Sequence, residues 1–273
     1  MKNLRTIRIF LATIFFVATL ALLIFGATVH PMAPVAKYVQ VIPSALSATA
    51  GAALFWFVAT FLFGRIYCST VCPIGSMQDC AIWLRRKIGK RGEFRYKNPG
   101  KTRYHILIVY VALLVLLPGA AVAGLLLDPW HIMENIISLV NRDAVSGTWG
   151  ELAFGTIGGM IAGGVSLILL SGFAYHRGRD FCTRICPLGS AMGASDGKTL
   201  LHIEINPDKC TVCGKCEDVC PAKCIKVVSR YVDNSRCVRC FDCLYECPED
   251  AINYQVNKNL RFNTPLFRRR RKA

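Results

Sequence analysis

The sequence predicts an α-helical membrane protein with four transmembrane helices arranged as two parallel two-helix repeats. A C-terminal α+β domain follows. Three observations predict this. Four long uncharged stretches fall in the first two thirds of the chain. A thirteen-residue segment recurs after the second and fourth of them. Two cysteine runs of identical spacing, each closed by proline, lie near the end. The expected division is residues 1–195 for the helical domain, 196–256 for the cysteine-rich domain and 257–273 for a basic tail.

The stretches Ile9–Val29, Ala45–Phe63, Ile106–Leu127 and Leu152–Ala174 contain no charged residue. About 20 apolar residues in a helix cross the hydrocarbon layer of a bilayer. A soluble core helix of that length would carry a polar stripe, and none of these does. Lys2, Arg5 and Arg8 precede the first stretch, as in a signal peptide. Its apolar run is longer than a signal core, and no small-residue cleavage site follows before His30-Pro31, so it reads as an anchor. Pro118 and Gly119 interrupt the third stretch, which membrane helices tolerate. Gly155, Gly158, Gly159, Gly163 and Gly164 in the fourth permit close helix packing.

Orientation comes from the basic residues. Three Lys/Arg precede the first stretch, ten lie between Gly64 and Arg103, and eighteen follow the fourth stretch. The two remaining connections hold one each, Lys37 and Arg142. Cytoplasmic segments are the ones enriched in Lys and Arg. Both termini and the cysteine-rich domain are therefore expected on the cytoplasmic side of the inner (cytoplasmic) membrane. The net charge of +16 follows from that topology and from contact with anionic lipid, so it does not call for nucleic acid. The tail Arg268–Lys272 fits the same account.

The cysteine runs carry the chemistry. Cys210-x2-Cys213-x2-Cys216-x3-Cys220-Pro221 repeats as Cys237-x2-Cys240-x2-Cys243-x3-Cys247-Pro248. This spacing holds paired [4Fe–4S] clusters in bacterial ferredoxins, and the fourth cysteine of each run reaches the other cluster. Cys210, Cys213, Cys216 and Cys247 are thus expected on one cluster, and Cys237, Cys240, Cys243 and Cys220 on the other. Zinc sites usually draw their ligands from two separated pairs, which this pattern does not offer. Thiolate clusters also suit a reducing cytoplasm.

The recurring segment is Gly64-Arg-Ile-Tyr-Cys-Ser-Thr-Val-Cys-Pro-Ile-Gly-Ser76 and Gly178-Arg-Asp-Phe-Cys-Thr-Arg-Ile-Cys-Pro-Leu-Gly-Ser190, identical at seven of thirteen positions. Both copies follow the cytoplasmic end of an even-numbered span, so the repeats are parallel, related by an axis along the membrane normal. That axis can bring Cys68, Cys72, Cys182 and Cys186 together. Four convergent thiols can hold a third iron–sulfur cluster, bind a soft metal such as Cu(I), or cycle as dithiols.

The remaining features are weaker. Cys80 and Cys224 each stand where the repeat twin has alanine, Ala194 and Ala251, and are expected to be small packing residues. In Asp128–Glu134, Trp130 suits a membrane interface, and His131 with Glu134 can accept protons from a quinol headgroup. The stretch Ile74–Ile88 reads as an amphipathic helix on the membrane surface or against the cluster domain.

Paired Cys-x3-Cys-Pro segments after membrane helices, with a C-terminal double ferredoxin run, resemble the membrane polyferredoxins of the NapH/NosR type. The resemblance covers nearly the whole chain. It implies oxidation of membrane quinol and electron delivery to a partner redox protein, in a quinol-linked respiratory role. Relatives of the NosR kind carry an extracytoplasmic flavin domain, for which the outer connections here are too short, and Ser146-Gly147-Thr148 does not reproduce the flavin attachment motif. The copper-handling branch has a further C-terminal domain, whereas this chain stops about 25 residues after Cys247. A copper-reducing assembly factor and a redox-sensing regulator stand as alternative readings.

Overall fold

The segment Asn3–Phe25 forms one continuous helix, α1, because it contains neither glycine nor proline and its apolar residues favour helix in a non-aqueous setting. The computed structural model describes residues 3–25, 51–88, 94–98, 100–116, 132–133, 136–137, 149–196 and 199–256. The second apolar stretch continues into α2 (Gly51–Phe63), the third begins in α5 (Thr102–Leu116) and the fourth lies within α6 (Trp149–Arg177). Among the described residues one helix, Asn3–Ala21, is long and apolar enough to cross a membrane, and Ala53–Phe63 and Thr102–Leu113 are shorter apolar helices. The first three predicted spans run on into segments outside the described residues. Phe10, Val17, Leu54, Phe55, Ile168 and Leu169 are all more than half exposed, an apolar outer surface that water would penalise.

After α2 the chain turns sharply. Gly64 takes φ +80 and its repeat twin Gly178 takes φ +68, a left-handed conformation that a side chain would strain. A short helix α3 (Tyr67–Thr70) then leads through Cys72 into α4 (Pro73–Lys87). In the second repeat a π-turn, Phe181–Ile185, leads through Cys186 into α7 (Pro187–Asp196). Proline at the first position of α4 and α7 has no N–H to satisfy, so it starts each helix at no cost. On α4, Cys80, Trp83, Leu84 and Lys87 are exposed, while Ile74, Gln78 and Ile82 face inward.

The C-terminal domain is a small duplicated α+β unit. Strand β1 (Leu201–Ile205) pairs antiparallel with β4 (Ile252–Val256), from Leu201 opposite Val256 to Ile205 opposite Ile252. Strands β2 (Ile225–Lys226) and β3 (Tyr231–Val232) form the second ladder. Helices α8 (Lys215–Asp218) and α9 (Asp242–Glu246) sit between them. Left-handed residues recur at the repeat offset of 27: Val212 with Arg239, Gly214 with Phe241, and Lys223 with Asp250. The duplication seen in the cysteines is therefore also a duplication of backbone.

This domain is clamped to the ends of the long helices. Leu200 N–H donates to the Phe61 carbonyl at 3.0 Å, and the Tyr254 hydroxyl donates to the Phe63 carbonyl at 2.7 Å. Arg5 and Arg86 both pair with Asp242, at 2.9 and 3.0 Å. Lys223 pairs with Asp180 at 3.1 Å. Arg179 N–H donates to the Pro221 carbonyl at 2.9 Å, tying the second repeat to the first cysteine run.

Candidate functional site

The two cysteine runs fold into two small cavities. Cys210, Cys213, Cys216 and Cys247 line one, with Ile205 and Ile252 closing it. Cys220, Cys237, Cys240 and Cys243 line the other, with Ile203 and Phe241 among its walls. The fourth cysteine of each run thus faces the first three of the other. Their mutual influence follows the same partition. Burial, then the sulfurs of Cys213, Cys247 and Cys210, pushes the Cys216 thiol up to about 12. Burial, then Cys240, Cys237 and Cys220, pushes Cys243 well above its ordinary value. Neutral thiols are favoured at Cys216 and Cys243 unless positive charge enters, and the iron of a cluster would supply that charge. The donor set therefore fits two four-thiolate clusters.

Cys224 is buried as expected, but it does more than fill space. It lines the second cavity, and its sulfur lies 3.4 Å from that of Cys220. Hydrogen bonding with Cys224 is the leading cause that lowers Cys220 and brings Cys237 down to about 5. Cys80 departs from expectation. It is exposed, because the α4 face that carries it borders a cavity beside α1 rather than the core.

The Cys-x3-Cys-Pro segments are built alike. In each, the second cysteine has extended backbone, with ψ 119 at Cys72 and 121 at Cys186. In each, its N–H donates five residues back, to the carbonyl of Tyr67 at 3.0 Å or of Phe181 at 2.9 Å. Gly75 and Gly189 then press against the carbonyls of Cys68 and Cys182 so closely that any Cβ would overlap them. This wound turn fixes both cysteines of a pair at the head of a helix. The Gly189 N–H donates to the Cys186 sulfur at 3.4 Å.

Two arginines join the repeats. Arg65 Nη2 donates to the Cys182 carbonyl at 2.8 Å, and Arg179 Nη1 donates to the Cys68 carbonyl at 2.9 Å. Each repeat thus inserts a fully buried guanidinium beneath the first cysteine of the other, an exchange that a local two-fold axis generates. All four cysteines are buried, in the same continuous core that takes in most of the cluster-domain cysteines. Burial, then Cys182 and Cys68, raises the Cys72 thiol, and burial with Cys182, Cys72 and Cys68 raises Cys186. Burial pushes Cys182 up to about 12 against the opposing charge of Arg179. Its thiol donates to Gln78 Oε1 at 3.0 Å.

The structure thus brings together the cysteines singled out by sequence, in three groups of four. Among the described residues no three His, Cys, Asp or Glu side chains converge as a single bound ion requires. His131 and Glu134 lie outside the described residues; their neighbours Ile132 and Met133 are buried. Sequence reasoning did not single out Arg65, Arg179, Gln78 or Asp79. The signal for the arginines was present, since Gly-Arg opens both copies of the repeat.

A family model described as a 4Fe-4S binding domain matches the chain twice, over residues 47–91 and 157–202, which contain the Cys-x3-Cys-Pro segments. A second model of the same description matches residues 203–226. The ferredoxin-type protein NapH of Haemophilus influenzae is 31% identical over 79% of this chain and 70% of its own length. The chain belongs to the NapH family of ferredoxin-type proteins. Other relatives of this family member include NapH of Escherichia coli, 31% identical over 69% of the chain and 61% of its own length. The methylamine utilization ferredoxin-type protein MauN of Paracoccus denitrificans is 29% identical over 74% and 64%. No solved structure matches the chain. Family and domain matches together place it among iron–sulfur electron-transfer proteins.

Proposed function

We propose that this NapH-type protein spans the cytoplasmic membrane four times and moves electrons from membrane quinol to a partner redox protein. Two [4Fe–4S] clusters carry the electrons, one on Cys210, Cys213, Cys216 and Cys247, the other on Cys237, Cys240, Cys243 and Cys220. Cys68, Cys72, Cys182 and Cys186 form a third redox site between the helices and these clusters. The termini and the cluster domain face the cytoplasm, as the basic asymmetry requires.

The observation that carries this reading is the presence of three four-cysteine groups in or against one continuous buried core. The helical repeats hold one group. The cluster domain, pinned to those repeats through Arg179 N–H and Pro221, holds the other two. A cubane keeps its thiolates at separate corners, the arrangement such groups of four offer. The 4Fe-4S matches over both Cys-x3-Cys-Pro segments support an iron–sulfur third site over dithiol chemistry. When bound, the clusters supply one-electron steps. The chain supplies buried thiols, a dry surround and guanidinium groups that offset the thiolate charge.

The test is reduction of the purified full-length protein by quinol, followed by electron paramagnetic resonance. Signals of reduced clusters are expected, with about eight iron atoms per chain for the ferredoxin pair and about four more for the third site. Iron near four per chain would rule out the paired clusters. Reporter fusions after Pro34, Asn98, Asp143 and Lys258 are expected to read outside, inside, outside and inside.

A further inference from the structure

A cavity of about 480 Å³ opens between α1, α4 and the start of α9. Small-molecule sites enclose roughly 300–1,000 Å³. Arg5, Arg8, Ala12 and Phe16 line it from one face of α1, at steps of three and four residues. Ser76, Asp79, Trp83 and Arg86 line it from one face of α4, and Asp242 closes it from the cluster domain. The cavity is chemically graded. Ala12 and Phe16 lie in the first apolar stretch, whereas Arg5, Arg86 and Asp242 lie outside it. An amphipathic ligand fits, its apolar part along α1 and its polar head towards Asp79 and Asp242.

The charges select the class of head. Arg8 pairs with Asp79, and Arg5 and Arg86 both pair with Asp242. Two carboxylates at the lining oppose a phosphate, and each arginine already has an anionic partner. A neutral aromatic diol suffers no such repulsion: its hydroxyls donate to carboxylates and accept from guanidinium. Thr13 and Ser76 add hydroxyl-bearing side chains to the lining.

The position matters as much as the lining. Asp79 accepts from Arg179 Nε at 3.0 Å, and Arg179 in turn holds the Cys68 carbonyl. Asp242 directly precedes Cys243, and the charges of Asp242 and Arg8 both act on the Cys240 thiol. The cavity therefore borders the Cys-x3-Cys-Pro group and the second cluster cavity at once.

We infer that this cavity between α1, α4 and α9 is the quinol-binding site; the inference rests on the quinol oxidation proposed above. In the step, both quinol O–H bonds break and two C=O bonds form. The oxidant would be the iron–sulfur clusters that the neighbouring cysteine groups would hold, each taking one electron at a time. The two protons leave to water on the cluster-domain side. Asp79 and Asp242 touch the reacting head, Trp83 and Phe16 hold the ring and tail, and the site lies on the same side of the membrane as the clusters.

The test uses the full-length protein in phosphatidylcholine nanodiscs with menadiol as reductant and an azido-quinone photolabel. Label is expected on the peptides of α1 and α4. Thr13→Trp and Ser76→Trp, which narrow the cavity, are expected to slow menadiol-driven cluster reduction at least about tenfold, a barrier change of about 1.4 kcal/mol. Phe10→Trp, on a 65% exposed face of α1, is expected to leave the rate unchanged. Dithionite-reduced spectra are expected to match wild type in all three. If menadiol fails to reduce the wild-type protein, the functional reading itself is wrong. If wild type is reduced, yet Thr13→Trp and Ser76→Trp react normally and the label falls on residues 128–137, the site is wrong and the reading stands. Loss of labelling when phosphatidylglycerol replaces phosphatidylcholine would identify an anionic lipid as the occupant and overturn the inference.

Discussion

The two Cys-x3-Cys-Pro repeats share a wound turn, a buried arginine and a glycine pressed on a cysteine carbonyl, and they diverge one turn later. At the offset of 114, Gln78 corresponds to Met192, Asp79 to Gly193 and Cys80 to Ala194. In the first repeat Asp79 accepts from Arg179 and Arg8 and borders the cavity beside α1. In the second, the bare Gly193 lets the Ser235 carbonyl approach within 2.8 Å of where a Cβ would sit. Arg65 and Arg103 reach that same carbonyl, each at 3.4 Å. Identical halves would give a site with no direction. Here one half is turned towards α1 and the other towards the cluster domain, so these positions make the two halves chemically distinct.

The sharpest way to break this comparison is to remove the arginines one at a time. Arg179→Ala removes a fully buried guanidinium, leaves the part-buried Asp79 carboxylate with Arg8 and frees the Cys68 carbonyl, so a loss of about 3 kcal/mol in unfolding free energy is expected. Arg65→Ala removes bonds to the neutral carbonyls of Cys182 and Ser235, and about 1–2 kcal/mol is expected. Denaturant unfolding in detergent measures both. Equal losses would mean that Asp79 does not differentiate the halves.

Gly193→Asp makes the second repeat chemically like the first. The new side chain must displace the Ser235 carbonyl, and overpacking of this kind costs about 1–3 kcal/mol. The expected outcome is looser docking, read as faster proteolysis between residues 196 and 201 with both ferredoxin cavities intact. Gly75→Ala and Gly189→Ala should destabilise by similar amounts, since both meet a cysteine carbonyl. A large inequality between them would show that the shared turn is not equivalent in the two halves.

The smallest effect concerns pH. Burial alone would raise the Asp79 carboxyl, but the Arg179 and Arg8 guanidiniums more than offset it and hold the group below the ordinary 3.8. A carboxylate with a lowered folded-state pKa contributes stability that is present above the unfolded value and lost as pH falls through the lowered one. Wild type is therefore expected to lose stability below about pH 4 more steeply than Asp79→Asn. Parallel acid profiles would remove Asp79 from the account.

Much of this was legible in the sequence because spacing is a geometric quantity. A cysteine followed by proline at a fixed offset specified which cavity Cys220 and Cys247 would enter. Self-similarity over Gly64–Ser76 and Gly178–Ser190 specified that the two Cys-x3-Cys-Pro turns would be built alike. The arginine exchange was not legible, because a charged residue beside an apolar stretch ordinarily faces water or lipid headgroups. Arg65 and Arg179 are buried only because each meets carbonyls more than 100 residues away. Cys80 was misplaced for a related reason: its alanine twin suggested packing, whereas the cavity beside α1 leaves it exposed. Asp79 lay inside a helix whose apolar pattern drew attention to Trp83 and Leu84, the outer face.

The central claim is that electrons from quinol reach the ferredoxin clusters through Cys68, Cys72, Cys182 and Cys186. The direct measurement is electron paramagnetic resonance of the full-length Cys182→Ser protein, reduced first by menadiol and then by dithionite. The account predicts no cluster signal with menadiol, beside a full wild-type signal, and wild-type signals from both ferredoxin clusters with dithionite. Normal reduction of the variant by menadiol would contradict it.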